Sequence, residues 1–187
     1  CVSENVVAVS PSPKPGAKTI LIAASIDSPA PDSPGADDNA SGVAAMLECA
    51  RIAVGVNARH NLAFAAFGAS SMGRAGSKAI AEAANGAAMD PQDVILAIIL
   101  DSVGRPGHVS LIPWGGPRAL PPSVMAGLVE ATGGGRRRID ATMGLLPEVQ
   151  MDHAPFLYAG VPAVALTTAQ SLPYPARGSL SPFWDTA

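Results

Sequence analysis

Short runs that are apolar at nearly every position constrain this chain most. "VILAIIL" (94–100), "TILIAAS" (19–25), "LAFAAF" (62–67) and "AVALTT" (163–168) leave no polar side for solvent. Such runs belong to strands covered on both faces, as in the middle of an α/β sheet. "NVVAVS" (5–10) and "HVSLIP" (108–113) read as further strands. Helical segments are expected between them: "NASGVAAMLECARIAVG" (39–55), "GRAGSKAIAEAAN" (73–85), "PPSVMAGLVEATG" (121–133) and "DHAPFLYAG" (152–160). In the first, Val43, Met46, Leu47, Ala50 and Val54 recur at near-helical spacing. The order predicts a three-layer α/β/α sandwich around a mixed, mainly parallel sheet. The first two strands, joined by the Pro/Gly turn "PSPKPGAK", are expected to form an antiparallel pair.

Size and charge narrow the function. The 187 residues suit a single domain, 1–187, with no linker of domain size and no internal repeat. The net charge of −3 gives no reason to expect nucleic acid or an anionic membrane as partner. No apolar run approaches the roughly 18 residues needed to span a bilayer, and no signal peptide is visible. Of the two cysteines, Cys49 reads as a packed, inert thiol on a buried helix face, and Cys1 as a lipidated mature terminus or a boundary. "GGGRRR" (133–138) reads as a solvated loop, with an anion grip as the alternative.

Ligands in open α/β sheets bind beyond the carboxyl ends of the strands, so the residues there matter. Asp27 follows the second strand, Ser70 and Ser71 the third, and Asp101 the run "VILAIIL". A carboxylate in Asp101's position is expected to be partly buried and to need a partner. Asp37, Asp38 and Asn39 precede a helix, where one of them could serve as N-cap. One cap needs one side chain, so three such residues in a row exceed that need.

These residues also carry a likeness. "GADDNASGVAAMLECAR", "LAFAAFGASSMGRAGS", "IILDSVG", "DHAPFLYAGVPAVAL" and "SPFWDT" resemble the co-catalytic di-zinc aminopeptidase family, related to glutaminyl cyclases and the transferrin-receptor ectodomain. The likeness runs over nearly the whole chain and implies the same sandwich fold, ending before the family's last helix. It also implies an extracytoplasmic or membrane-anchored parent protein. In that family one Asp bridges two zinc ions, each ion takes a His and a further carboxylate, and a Glu is the general base. Two metals lower the attacking water's pKa and polarise the scissile carbonyl.

Carried over residue by residue, the likeness makes Asp38 the bridging ligand and Asp101 a terminal ligand, with Asp27 behind the first His position. That His position is Ser25. The base and ligand Glu pair falls on Ser70 and Ser71, and the last His on Ser181, or on Leu180 with a loop one residue shorter. Asp152 and His153 would line the pocket. Four positions all reading as serine point to selection or deliberate replacement rather than drift. The expectation is a domain with no bound cofactor, where active relatives hold zinc, acting as a binding or scaffold module for a peptide or protein. The alternatives are a metalloaminopeptidase, native or altered at its metal site, and a serine hydrolase using Ser70 with Asp101 or Asp152 and His153. Against the last, Gly73 comes one residue too late for G-x-S-x-G.

Overall fold

The computed structural model describes residues 2–28, 33–83, 89–104, 109–113, 120, 123–124, 126–127, 130, 139–141 and 151–168. The strands are β1 (Val6–Ser10), β2 (Thr19–Ser25), β3 (Asn61–Phe67), β4 (Val94–Leu100), β5 (Val109–Pro113), β6 (Ile139–Ala141) and β7 (Ala163–Thr167). The helices with described bounds are α1 (Gly42–Ala53), α2 (Ala75–Ala81) and α3 (Ala154–Tyr158), and residues 123–124, 126–127 and 130 are also helical. The seven strands form one sheet in the order β1-β3-β2-β4-β7-β5-β6. Neighbours pair in parallel except β1 with β3 and β5 with β7.

The alternation along each central strand divides the core. Leu21, Ala23, Ala63, Ala65, Phe67, Ala97 and Ile99 join Ile80 of α2 and Phe156 of α3 on one face. Ala24, Phe64 and Leu100 join Met46 and Ala53 of α1 on the other. Helices therefore cover both faces, and the sandwich expectation holds. Phe67 and Phe156 lie tilted with ring centroids 6.0 Å apart. Complete burial of a Phe such as Phe156 stabilises by about 1.5–3 kcal/mol.

Topology places the site. From β2 the chain crosses by α1 to β3 on one side, then by α2 over the opposite face to β4 on the other side. Right-handed crossovers require that change of face when the direction of travel reverses. The reversal is centred on β2, so the carboxyl ends of β3, β2 and β4 form the crevice where such sheets bind ligands.

Several expectations change. β1 and β2 are not a pair: β3 lies between them, antiparallel to one and parallel to the other. Adjacent strands lie about 4.8 Å apart, so the connection from Pro11 to Lys18 has ample reach to step over one strand. Asn61 anchors that connection, accepting from the Ser12 N–H (2.8 Å) and donating to the Ala17 carbonyl (2.8 Å).

Helix α1 buries a narrower stripe than expected. Met46 and Ala53 are buried with Val43 and Ala50 against them, while Leu47 and Val54 are exposed. Cys49 is an exposed free thiol, not a packed one. Desolvation and the neighbouring Glu48 carboxylate push its pKa up, so it is not an activated nucleophile. The three-residue strand β6 was not anticipated. The segment 121–133 lies mostly outside the described residues, and 133–138 and Cys1 lie outside them entirely. Among the described residues no helix is long and apolar enough to cross a membrane.

Candidate functional site

The turn after β3 is built around one carboxylate. Asp27 Oδ1 accepts from the Ser70 N–H at 2.9 Å. Its Oδ2 accepts from the Ser71 N–H at 2.8 Å and from Ser71 Oγ at 2.5 Å. Burial pushes the Asp27 pKa up, but the Ser71 hydroxyl and the two amides outweigh it and hold the group below the usual carboxylate range.

Ser70 faces a second carboxylate. Its Oγ donates to Asp152 Oδ2 at 2.6 Å, and Ser77 Oγ donates to Asp152 Oδ1 at 2.5 Å. Asp152 is 4% exposed. Burial raises its pKa, and the charges of Asp101 and Asp27 add to that rise against the two hydroxyls. Ser70 thus links two carboxylates, one by its amide and one by its hydroxyl. His153, the next residue, is fully buried.

Asn39 fastens the ends of β2 and β4. Its Nδ2 donates to the Leu100 carbonyl at 2.9 Å and to Ser25 Oγ at 3.1 Å, while its Oδ1 accepts from the Ser102 N–H at 2.9 Å. A Cβ at Gly42 would collide with the Asn39 side chain and the Leu100 carbonyl, so only glycine fits there. Asp37 is buried and accepts from the Gly104 N–H at 3.1 Å. Neither the turn at Ala36–Ser41 nor α1 has a side-chain cap, so the N-cap reading of Asp37, Asp38 and Asn39 does not hold. Asp38 and Asn39 have non-helical backbone and are joined by a cis peptide bond.

Backbone strain gathers at the same edge. Ala69 (φ 54°) and Ser102 (φ 53°) are in the left-handed region, each two residues past the end of its strand. Non-glycine residues held there cost of order 1–3 kcal/mol and cluster at functional sites.

The sequence-derived residues fall as follows. Ser25, Asp27, Ser70, Ser71 and Asp101 stand at the carboxyl ends of parallel β2, β3 and β4. Asp152 joins Ser70 directly, and Asp38 adjoins Asn39, which bonds Ser25. Asp101 Oδ1 accepts from Ser102 Oγ at 3.0 Å. Ser181 and its alternative Leu180 lie outside the described residues. Among the described residues, no group of three or more His, Cys, Asp or Glu is placed to hold a metal ion.

The Ser70 hydroxyl donates to Asp152, whereas the serine-hydrolase expectation has it donate to the imidazole of His153 as general base. The left-handed non-glycine residues of this loop are Ala69 and Arg74 rather than Ser70, whereas a nucleophile elbow strains the serine itself.

Sequence reasoning missed three contributors. Ser77 was read only as part of a helix, although it lies in the quoted segment with Ser70. Asn39 was read as a possible cap, and Ser102 was passed over. All three bond groups distant in sequence.

The comparisons agree with this architecture. The profile of Peptidase family M28 matches residues 5–187. The zinc aminopeptidase BSAP from Bacillus subtilis superposes with a TM-score of 0.75 at 23% identity, covering 95% of this chain and 44% of that one. The aminopeptidase from Aneurinibacillus sp. strain AM-1 gives 0.70 at 27% identity, covering 88% and 39%. The glutaminyl cyclase of Porphyromonas gingivalis gives 0.62 at 22% identity, covering 87% and 60%. This chain therefore spans less than half the length of those two aminopeptidases. No curated protein matches it by sequence. With nearly the whole sequence matched and the fold shared, the chain belongs to Peptidase family M28.

Proposed function

We propose that this domain is a metallopeptidase-like binding or scaffold module that does not hydrolyse peptides. The observation that carries the reading is the commitment of the serine hydroxyls. Ser70 Oγ is spent on Asp152, Ser71 Oγ on Asp27, and Ser25 Oγ accepts from Asn39. By the family likeness, these three stand at the base position and two ligand positions. A neutral hydroxyl is a poor base and a poor zinc ligand, and zinc sites draw on His, Cys and carboxylates. The remaining carboxylates at ligand positions, Asp38 and Asp101, fall short of that donor set, so these residues do not fit zinc. The crevice beyond β3, β2 and β4 would then bind a peptide or protein segment without cleaving it.

The relatives support a second reading. BSAP is named a zinc aminopeptidase, and the folds superpose well. A metalloaminopeptidase, native or altered at its metal site, would recruit ligands beyond those considered above.

Elemental analysis after mild dialysis separates the two readings. The module should retain less than about half an equivalent of zinc, since too few ligands remain. It should release no nitroaniline from aminoacyl nitroanilides. About two zinc ions per chain, the co-catalytic complement, together with turnover would overturn the module reading.

A further inference from the structure

The segment before β1 reaches across to the site turn. Asn5 Oδ1 accepts from the Gly68 N–H at 3.0 Å, and Asn5 Nδ2 donates to the Gly76 carbonyl at 2.9 Å. Gly68 closes β3 and Gly76 lies in the first turn of α2, so one amide side chain brackets the loop that carries Ser70 and Ser71. The approach is close enough to dictate both glycines. A Cβ at Gly68 would collide with Ser3 Oγ and press on the Glu4 carbonyl oxygen. A Cβ at Gly76 would collide with the Gly68 carbonyl and meet Asn5 Oδ1 at 2.5 Å.

Within the bracket the chain bends tightly. Ala69 and Arg74 are both left-handed (φ 54° and 61°), and Gly73 has φ 76°. The Ala75 N–H bonds the Ala69 carbonyl at 3.1 Å, and the Arg74 N–H bonds the Ser70 carbonyl at 2.8 Å. Such a bend persists only when its surroundings over-determine it. Asn5 supplies a tie at each end, one donated and one accepted, which neither Asp nor Leu of similar size reproduces.

We infer that Asn5 is a positioning residue, holding the loop between Gly68 and Gly76 so that the Ser70 and Ser71 amides meet the Asp27 carboxylate. The inference stands apart from the functional reading above, since it concerns the placement of the loop and not what the site binds.

Amide hydrogen exchange at one fixed pH tests it. The Ser70 and Ser71 N–H groups bond Asp27, so their exchange rates report whether those bonds stay closed. In Asn5→Ala exchange at both amides should speed up at least about twofold, because hydrogen bonds weaken steeply as geometry is lost. The Gln92 amide, bonded to Asp90 Oδ1 at 2.8 Å, is the internal control and should keep its rate. Asn5→Asp keeps the acceptor for Gly68 and loses the donor for Gly76, so its rates should fall between those of the wild type and Asn5→Ala. Unchanged Ser70 and Ser71 rates in folded Asn5→Ala would overturn the inference. So would an equal acceleration at Gln92, or failure of both variants to fold, because Asn5 would then serve general stability.

Discussion

Asp27 and Asp152 flank the same serine, and the fold treats them in opposite ways. Asp27 is partly exposed and receives two amides and a hydroxyl, so the charged form is favoured. Asp152 is buried, and among the described residues its donors are the hydroxyls of Ser70 and Ser77, which do not offset that burial, so the protonated form gains. Hydroxyls can serve either state, because they turn to donate or accept, whereas a backbone N–H can only donate. Solvent access and the kind of donor thus separate two like groups joined by one residue.

The largest expected effect comes from placing at Ser70 the residue type that the family likeness implies for the base position. Ser70→Glu removes a donor to Asp152 and sets a second carboxylate against it. Leaving buried charge uncompensated costs about 3–5 kcal/mol, and urea denaturation at pH 8 should show a loss near the low end of that range. At pH 5 the two carboxyls can share a proton, as like-charged pairs do, so the loss should shrink. Equal stability of variant and wild type at pH 8 would show that Ser70 and Asp152 are not in contact.

The contrast was only half legible in the sequence. β2 and β4 were read with their observed bounds, because continuous apolar runs flanked by polar turns leave little choice. Both helix-covered faces followed from the same pattern. The neighbour of β1 was misread because a Pro/Gly turn signals reversal of the chain and not which strand it then meets. Cys49 and Leu47 were misplaced because an apolar stripe on an Ala-rich helix does not reveal which edge faces the sheet. At the site, Asp27, Ser70 and Ser71 could be located because each directly follows a strand. The bonds from Ser77 to Asp152, 75 residues apart, and from Asn39 to Leu100, 61 apart, exist only after the sheet assembles. No local pattern encodes them.

A middle-sized effect should come from Asp152 itself. Its folded pKa is raised, so the folded state holds the proton more tightly than the unfolded state does. Its contribution is fully present below the unfolded value of about 3.9 and is lost as pH rises through the folded value. Asp152→Asn removes this ionisation, while an amide can still accept from one serine and donate to the other. The variant should therefore gain on the wild type between pH 4 and pH 8. The scale is set by the cost of about 1–3 kcal/mol for burying a polar group poorly. Thermal melts across that range give the answer. A gap that stays constant with pH would mean that Asp152 does not titrate there.

The smallest effect, of opposite sign, belongs to Asp27. Its folded pKa is lowered, so its contribution is present above the unfolded value and is lost as pH falls through the folded one. Asp27→Asn can still accept from the Ser70 amide, but it turns an NH₂ toward the Ser71 amide, donor against donor. Each hydrogen bond is worth about 0.5–1.5 kcal/mol net. Solvent screening of a partly exposed group brings the expected loss near pH 7 to about 1 kcal/mol or less. Toward pH 2 the wild-type carboxylate takes up a proton and loses the same advantage, so the two proteins should converge. Urea titrations at pH 7 and pH 2.5 would resolve the two slopes. If Asp27→Asn lost stability equally at both, the amide bonds to Asp27 would be independent of its charge, and burial alone would separate it from Asp152.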